Sequence, residues 1–256
     1  MPFHPSLVTY LCLTAAALAA GFVDSIAGGG GIVTLPALLA AGLPPHLALG
    51  TNKLQSSFGS LSAALRYRSA GLLDLGEVCP GIVATAIGAA AGAAAVGAVD
   101  AGFLRVLIPF LLIGIVVFLA LRPGFGLAVS ERRMGPVAFW IAAGLVLGFY
   151  DGFFGPGTGT FWAMALVGLA GQDMRSATAK TKATNFTSNL VSLGIFLAAG
   201  SVLLGLGLAM GAAQALGAAL GSRLVLRRGA GFVRGALIAM SGCIVAYIVL
   251  RYWILT

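Results

Sequence analysis

Two glycine clusters interrupt this apolar chain, and each follows an aspartate at the end of an apolar run. The aspartates are Asp24 and Asp151. The clusters contain Gly28, Gly29, Gly30 and Gly31 in the first case and Gly155, Gly157, Thr158 and Gly159 in the second. Glycine lets the backbone approach a ligand closely, and a helix that begins there presents free N–H groups and the positive end of its dipole. This chemistry suits an anion, although glycines also allow tight helix packing alone.

A polar stretch follows each glycine cluster after a short apolar segment. The polar residues are Thr51, Asn52, Lys53 and Gln55 in the first stretch and Lys182, Asn185 and Asn189 in the second. Lysines would neutralise an oxyanion, while amides and hydroxyls would donate hydrogen bonds to it. Ionisable side chains at membrane depth are functional candidates, although a lysine also serves as an anchor at lipid headgroups. We predict that these side chains and both glycine clusters bind the substrate.

The two aspartates are the only acids well inside apolar runs. Burial favours the neutral form of a carboxyl group, so Asp24 and Asp151 are candidates for carrying H⁺ as a coupling ion. The alternative is structural, in which each aspartate caps a helix end or pairs with a lysine of the other half of the chain. Both interpretations stay open at this point.

The composition is that of a membrane protein. The chain has 256 residues, of which 59% are hydrophobic and only 9% charged, whereas a globular domain has about 25% charged residues. The net charge of +8 comes mostly from arginines between apolar runs, which fits membrane orientation and not a nucleic-acid partner. Cys12, Cys79 and Cys243 are scattered and are expected to be small buried hydrophobes. We predict no metal site and no cofactor.

Eight apolar runs are long enough to span a bilayer about 30 Å thick. They cover residues 7–26, 47–65, 78–99, 103–121, 136–154, 177–199, 203–225 and 232–255. Two shorter apolar segments, 32–41 and 160–170, follow the glycine clusters, and a helix of ten residues rises only about 15 Å. The sequence therefore predicts an all-α integral membrane protein with two short broken or re-entrant helices.

The two halves of the chain match each other. At an offset of 127 residues Asp24 aligns with Asp151, and at an offset of 129 Lys53 aligns with Lys182 and Arg105 with Arg234. Chance similarity between apolar stretches would not align charged residues. We predict two homologous repeats, 1–125 and 126–256, each with four long transmembrane helices and one short helix.

The distribution of arginines bears on the orientation of the repeats. If the short segments re-enter, the repeats are parallel and the arginines divide six to six between the two sides. If each short segment completes a crossing, the repeats are inverted and the division is ten to two. Positive charge concentrates on the cytoplasmic side of membrane proteins. The pattern favours inverted repeats with both termini outside.

The residues that carry these features resemble a known family. The stretch that begins at Asp24 reads "DSIAGGGGIVTLPALLAAGLPPHLALGTNKLQSSFGS", and its counterpart ends in "AKTKATNFTSNL". Together with the duplication, these motifs resemble the sulfite exporter TauE/SafE family over essentially the whole chain. The resemblance implies a multi-pass permease of the bacterial cytoplasmic (inner) membrane that exports sulfite, an organosulfonate or a related sulfur anion. The second cluster reads "GPGTG" instead of "GGGG", so we expect an asymmetric pocket.

Paired, broken short segments in two repeats are typical of secondary transporters. We therefore expect a carrier for a small anion that works by alternating access in the lipid bilayer, with H⁺ as a possible coupling ion; the alternative is a passive anion channel of similar architecture. An intramembrane enzyme would need a Ser–His or paired-acid constellation, which is not evident, so we expect no enzyme. The Ala/Gly-rich faces of spans 78–99 and 203–225 pack either internally or in a homodimer.

Overall fold

The computed structural model describes residues 5–121 and 131–249, and within these it consists of α-helices joined by short turns. The helices of this part are α1 (Leu7–Ala27), α2 (Gly30–Ala40), α3 (Pro45–Ser69), α4 (Leu75–Gly97), α5 (Ala101–Leu121), α6 (Pro136–Phe153), α7 (Thr158–Gly168), α8 (Met174–Ala198) and α9 (Leu204–Val249). The two last predicted spans form the single element α9, which is interrupted at Gly229, where φ is +73°. The end of the last predicted span, beyond residue 249, lies outside the described residues.

Glycines in the left-handed conformation, with positive φ, separate the two predicted short helices from the helices that precede them. Gly28 and Gly29 separate α1 from α2 with φ values of +78° and +91°. Gly155 and Gly157 separate α6 from α7 in the same way, with φ values of +99° and +83°. Each short helix has 11 residues, which corresponds to about 16 Å. The predicted breaks and short helices are confirmed.

The first short helix folds back against the helix that precedes it. A Cβ added at Gly30 would lie 2.9 Å from the Asp24 Cβ and 3.0 Å from the Ala20 carbonyl oxygen. The start of α2 is therefore packed on the last two turns of α1, and the two helices form a hairpin whose turn contains the first glycine cluster.

Helices at equivalent positions in the two halves make equivalent contacts. α1 packs along α9, and α6 packs along α4. Small residues allow both close approaches, because a Cβ at Gly217 of α9 would collide with the Leu18 carbonyl oxygen, and one at Gly88 of α4 with the Leu145 carbonyl oxygen. These Gly-rich faces pack internally in the chain, as one of the two alternatives predicted.

The polar helices α3 and α8 lie at the centre and contact each other. Neither is apolar enough to count as a span by composition, whereas four helices are, in the described residues. Those four spans are Leu7–Ala27, Leu75–Gly97, Pro136–Phe153 and Leu204–Gly229. A polar helix is tolerated at membrane depth only where protein surrounds it, and the inward faces of α3 and α8 are buried.

Two apolar clusters enclose the centre of the molecule. Cluster I contains Tyr67, Phe139 and Ala177, among other residues. Cluster II contains Leu49 and Leu104, among other residues. Each cluster combines side chains from both halves of the chain. The two halves therefore share both clusters, and within the described residues neither half has a separate core.

The prediction of buried cysteines is wrong for the two cysteines whose side chains the structure describes. Cys12 on α1 and Cys79 on α4 are exposed on the outer surface. Lipid tails are about as apolar as a protein core, so hydropathy alone does not separate the two environments. The side chain of Cys243 lies outside the described part of the structure.

Candidate functional site

The glycine turn between α1 and α2 touches the glycine turn between α6 and α7 at the centre of the molecule; we call each of these two helix pairs a hairpin. A Cβ added at Gly28 would lie 2.5 Å from the Gly159 carbonyl carbon and from the Thr160 nitrogen. The Thr160 hydroxyl donates a hydrogen bond to the Ala27 carbonyl oxygen at 3.1 Å. Two glycine clusters more than 120 residues apart in the chain therefore form one site.

A small polar cavity lies where the turns meet. It is lined by Asp24, Gly29, Gly30, Gly31, Asn52, Ser56, Asp151, Gly155, Gly157, Thr158, Gly159, Asn185 and Asn189. Its volume is about 30 Å³. Since about 10–15 Å³ holds one water molecule, the cavity has room for about two or three waters or one small ion.

Most of the residues predicted to bind substrate lie on this cavity, and one cavity residue was not predicted. The missed residue is Ser56 on α3. The internal repeat contains the signal for it, because Ser56 aligns with Asn185 at the offset of 129 residues. Comparing each predicted residue with its partner in the other half would have identified it.

Other predicted residues lie behind the cavity wall and support it. Gly28 forms the contact between the turns. The Thr51 hydroxyl oxygen accepts a hydrogen bond from the Leu203 N–H at 3.0 Å. The Gln55 side-chain amide donates to the Asn52 side-chain oxygen at 2.8 Å. These residues position the wall and do not face the cavity.

Lys53 and Lys182 form reciprocal ion pairs between the two halves. The Lys53 ammonium lies 2.7 Å from a carboxylate oxygen of Asp151, and that of Lys182 lies 3.1 Å from one of Asp24. Each lysine also donates to the backbone carbonyl oxygen of its aspartate. The lysine side chains are 1% and 0% exposed, so the interpretation as headgroup anchors is wrong. Pairing of each aspartate with a lysine of the other half is confirmed.

The two ion pairs have different surroundings. Asp151 also accepts a hydrogen bond from the Ser188 hydroxyl. Asp24 instead accepts one from the N–H of Gly30, the first residue of α2, at 3.2 Å. The Asp24 side chain is 14% exposed and that of Asp151 is 5% exposed. The two halves of the site are therefore similar in layout and asymmetric in detail.

Amide side chains on the cavity wall have uncommitted polar groups. The Asn52 side-chain oxygen accepts hydrogen bonds from Thr34 at 2.6 Å and from Gln55 at 2.8 Å, which leaves its NH₂ group for the cavity. The side-chain oxygen of Asn185 is buried and has no hydrogen-bond partner among the described residues. The wall therefore offers a fixed donor and a free acceptor to a ligand.

The chain is similar to known membrane proteins over most of its length. The model of the family described as "Sulfite exporter TauE/SafE" matches residues 13–248. A probable membrane transporter protein, ORF9 of Sinorhizobium sp, is 45% identical over 94% of this chain and 91% of its own length. The probable membrane transporter protein YfcA of Escherichia coli K12 is 44% identical over 88% of this chain and 84% of its own length.

A third relative, a probable membrane transporter protein of Haemophilus influenzae, is 39% identical over 87% of this chain and 87% of its own length. No solved structure shows a significant match to the chain. The match of the family model covers most of the chain and includes both glycine clusters and both ion pairs. This multi-pass membrane transporter belongs to the sulfite exporter TauE/SafE family.

Proposed function

We propose that this protein is a secondary carrier that moves a small sulfur anion, sulfite or an organosulfonate, across the cytoplasmic membrane of a bacterium. The observation that carries the proposal is the polar cavity formed where the glycine turns of the two halves meet. Substrate sites of secondary transporters lie at the interface of two repeats, beside broken helices. This cavity has both properties.

The polarity of the short helices suits an anion. α2 begins at Gly30 and α7 begins at Thr158, and both residues line the cavity. Each helix N-terminus contributes about half a positive charge. The first N–H groups, those of Gly30 and Thr158, already donate to Asp24 and to the Gly155 carbonyl oxygen, so the next ones, those of Gly31 and Gly159, are the N–H groups proposed to bind the ligand. The NH₂ group of Asn52 adds a further donor. An anion in this cavity would be held by dipoles and hydrogen bonds.

We further propose that the two repeats, 1–125 and 126–256, are inverted in the membrane. The contacts of α3 and α8, which are equivalent helices, support this arrangement. Gly50 near the start of α3 contacts Ser201, which follows the end of α8. Tyr67 near the end of α3 and Ala177 near the start of α8 share cluster I. α3 and α8 therefore run in opposite directions, as the proposal of inverted repeats requires.

The arginines support the same topology. Arg105 adjoins Leu104 of cluster II. The arginines near cluster I in the chain are Arg66, Arg68, Arg132, Arg133, Arg175, Arg223, Arg227 and Arg228. The excess of positive charge beside cluster I marks that end as cytoplasmic. Arg122 and Arg251 lie outside the described residues, and the side chain of Arg234 is outside the described part of the structure as well.

Counterflow in proteoliposomes tests the carrier proposal and separates it from a channel. Vesicles preloaded with unlabelled sulfite, sulfoacetate or taurine are diluted into the same labelled compound. With a carrier that works by alternating access, the labelled compound transiently accumulates inside the vesicles above its equilibrium concentration. The reason is that the carrier exchanges internal unlabelled substrate for external labelled substrate faster than it moves substrate out in net terms. Accumulation with one of the compounds supports the proposal and names the substrate. Flux without accumulation supports a channel, and no flux with any of the three contradicts the proposed substrate class.

Coupling to H⁺ is a separate part of the proposal. Asp24 lines the cavity and is the more exposed of the two aspartates, so it is the better placed to exchange a proton. In the variants Asp24→Asn and Asp151→Asn we expect uptake to lose its response to an imposed pH gradient, because an amide carries no exchangeable charge. The measurement is initial uptake with and without the gradient. A response equal to that of the wild type in both variants would end the coupling proposal.

Thr34 is expected to position Asn52 for the substrate. Thr34→Val removes the 2.6 Å hydrogen bond to the Asn52 side-chain oxygen, and one such bond is worth about 0.5–1.5 kcal/mol. The half-saturating substrate concentration should therefore rise about 2–10-fold. Thr34→Ser retains the hydroxyl and should stay close to the wild type. Equal half-saturation in the valine and serine variants would contradict the positioning role.

A further inference from the structure

We propose that the site accepts its substrate as a compact monoanion that still carries a proton, for example hydrogensulfite. We further propose that it rejects dianions and sulfonates with an organic tail. This inference rests on the proposed function and narrows its substrate class. Three observations support it: the net charge of the side chains around the cavity, the side-chain oxygen of Asn185 that has no hydrogen-bond partner among the described residues, and the volume of the cavity.

The charged side chains at the site balance each other. Asp24 is paired with Lys182, and Asp151 is paired with Lys53, so the four side chains sum to zero. The positive potential that remains comes from the N-termini of α2 and α7, at about half a charge each. Together they match one negative charge. A second negative charge would lie uncompensated beside two carboxylates in a small cavity surrounded by protein, which is strongly unfavourable.

The wall also needs a hydrogen-bond donor from the ligand. Asn185 is 6% exposed, lines the cavity, and has a side-chain oxygen without a partner among the described residues. An aprotic anion offers only acceptors, so it would leave this oxygen unpaired, and an unpaired buried acceptor is costly. A ligand O–H group would donate to Asn185 or to the neighbouring Asp24 carboxylate. Its other oxygens would accept from Asn52 and from the backbone N–H groups.

The size of the cavity excludes a tail. A volume of about 30 Å³ corresponds to about two or three water molecules, which is enough for a pyramidal oxyanion of a few atoms. Sulfoacetate and taurine add two carbon atoms and a second polar group. These additional atoms exceed the volume of the cavity, and the glycine turns that bound it are already in contact at Gly28 and Gly159.

The pH dependence of binding separates titration of the ligand from titration of the protein. The titratable groups near the cavity are Asp24, Asp151, Lys53 and Lys182. Tyr67 and Tyr150 lie behind them, and their hydroxyls donate to the Ser25 and Pro156 carbonyl oxygens, respectively. The short helices α2 and α7 contain no titratable residue. Nitrate carries no proton, so a pH dependence that sulfite shows and nitrate does not show assigns the proton to the ligand.

Calorimetric titration of the purified full chain in detergent tests the inference. The probes are sulfite, sulfate, methanesulfonate and nitrate, each titrated across a pH series that brackets the pKa of hydrogensulfite. We expect the affinity for total sulfite to fall about tenfold per pH unit above that pKa, because the monoanion fraction falls by this factor. Nitrate, a monoanion without a proton, should bind weakly and independently of pH. Sulfate and methanesulfonate should bind much more weakly than hydrogensulfite.

Each other outcome has a distinct meaning. Sulfate or methanesulfonate binding as tightly as hydrogensulfite, or affinity for total sulfite that is constant or rises with pH, overturns the inference alone. The same pH dependence for nitrate assigns the proton to the protein and also overturns it. If no anion binds at any pH, the proposed function itself is overturned, and this inference with it.

Asn185→Leu supplies a second test with a matched control. The variant removes the free acceptor, so the preference for hydrogensulfite over nitrate should fall about tenfold. Ser192→Ala is the control on the same helix. Ser192 also has a buried side-chain oxygen without a partner among the described residues, but it does not line the cavity. This variant should leave the preference unchanged. Melting temperatures report whether both variants fold. An unchanged preference in folded Asn185→Leu would contradict the role of the acceptor.

Discussion

Replacing Lys53 with methionine is expected to destabilise the protein by about 3–5 kcal/mol, because removing one partner of a buried ion pair leaves an uncompensated charge. The Lys53 and Asp151 side chains are 1% and 5% exposed and their charged atoms are 2.7 Å apart. In the variant, Asp151 would have to become protonated or draw water into the site. The measurement is the free energy of unfolding, from titration with SDS in mixed micelles.

Two further variants make this prediction specific to the buried pair. Lys180 on α8 contacts Glu77 at 2.6 Å, but the Glu77 side chain is 38% exposed. Lys180→Met should therefore cost at most about 1 kcal/mol. The double variant Lys53→Met/Asp151→Leu removes both charges and should recover much of the lost stability. A loss for Lys53→Met no larger than that for Lys180→Met would contradict the account of the site.

Gly28→Ala is expected to separate the two hairpin turns and to abolish transport. The residue has a φ of +78°, and its new Cβ would lie 2.5 Å from backbone atoms of Gly159 and Thr160. Backbone strain costs about 1–3 kcal/mol and overpacking about 1–3 kcal/mol more. Backbone atoms cannot rotate away as a flexible side chain would, so the turns must move apart. Initial uptake in proteoliposomes and the free energy of unfolding are the two readouts.

Gly42→Ala is the matched control for this variant. Gly42 has a φ of +93°, and an added Cβ would meet no atom within 4 Å. It therefore carries the backbone strain without the collision. The difference between the two variants isolates the contact between the turns. Transport at wild-type rates in Gly28→Ala would show that this contact is not needed for function.

The reciprocal ion pairs link the repeats in a way that suits alternating access. Each pair joins the hairpin of one repeat to the central helix of the other. If one repeat rocks against the other, the two pairs must rearrange together, because they lie on either side of the same cavity. Asp24 and Asp151 have different further partners, Gly30 and Ser188, so the two pairs are not identical.

Much of the architecture was predictable from the sequence, because the signals were local. Apolar runs, positive-φ glycines and prolines at helix starts fix the helix bounds. The charged residues that match between the two halves predict the duplication. The short helices α2 (Gly30–Ala40) and α7 (Thr158–Gly168) lie within two residues of the predicted segments, 32–41 and 160–170.

The orientation of individual polar side chains was not predictable, because it depends on contacts between distant parts of the chain. Lys53 was expected to face the substrate, but Asp151, 98 residues away, binds its ammonium group. Asn52 presents its NH₂ group because Thr34 and Gln55 occupy its oxygen. Neither fact is present in a spacing pattern. The outward orientation of Cys12 was missed for a different reason, since lipid and protein core have the same polarity.

Direct binding of sulfite to the wild type and to Asn52→Leu is the measurement that tests the central claim, namely that the cavity between the two turns is the anion site. Asn52 is 3% exposed, lines the cavity and has its donor group oriented by two hydrogen bonds. The account predicts saturable binding of one sulfite per chain in the wild type and at least about a tenfold loss of affinity in a folded Asn52→Leu variant. Undiminished binding in that variant would place the anion elsewhere and contradict the account.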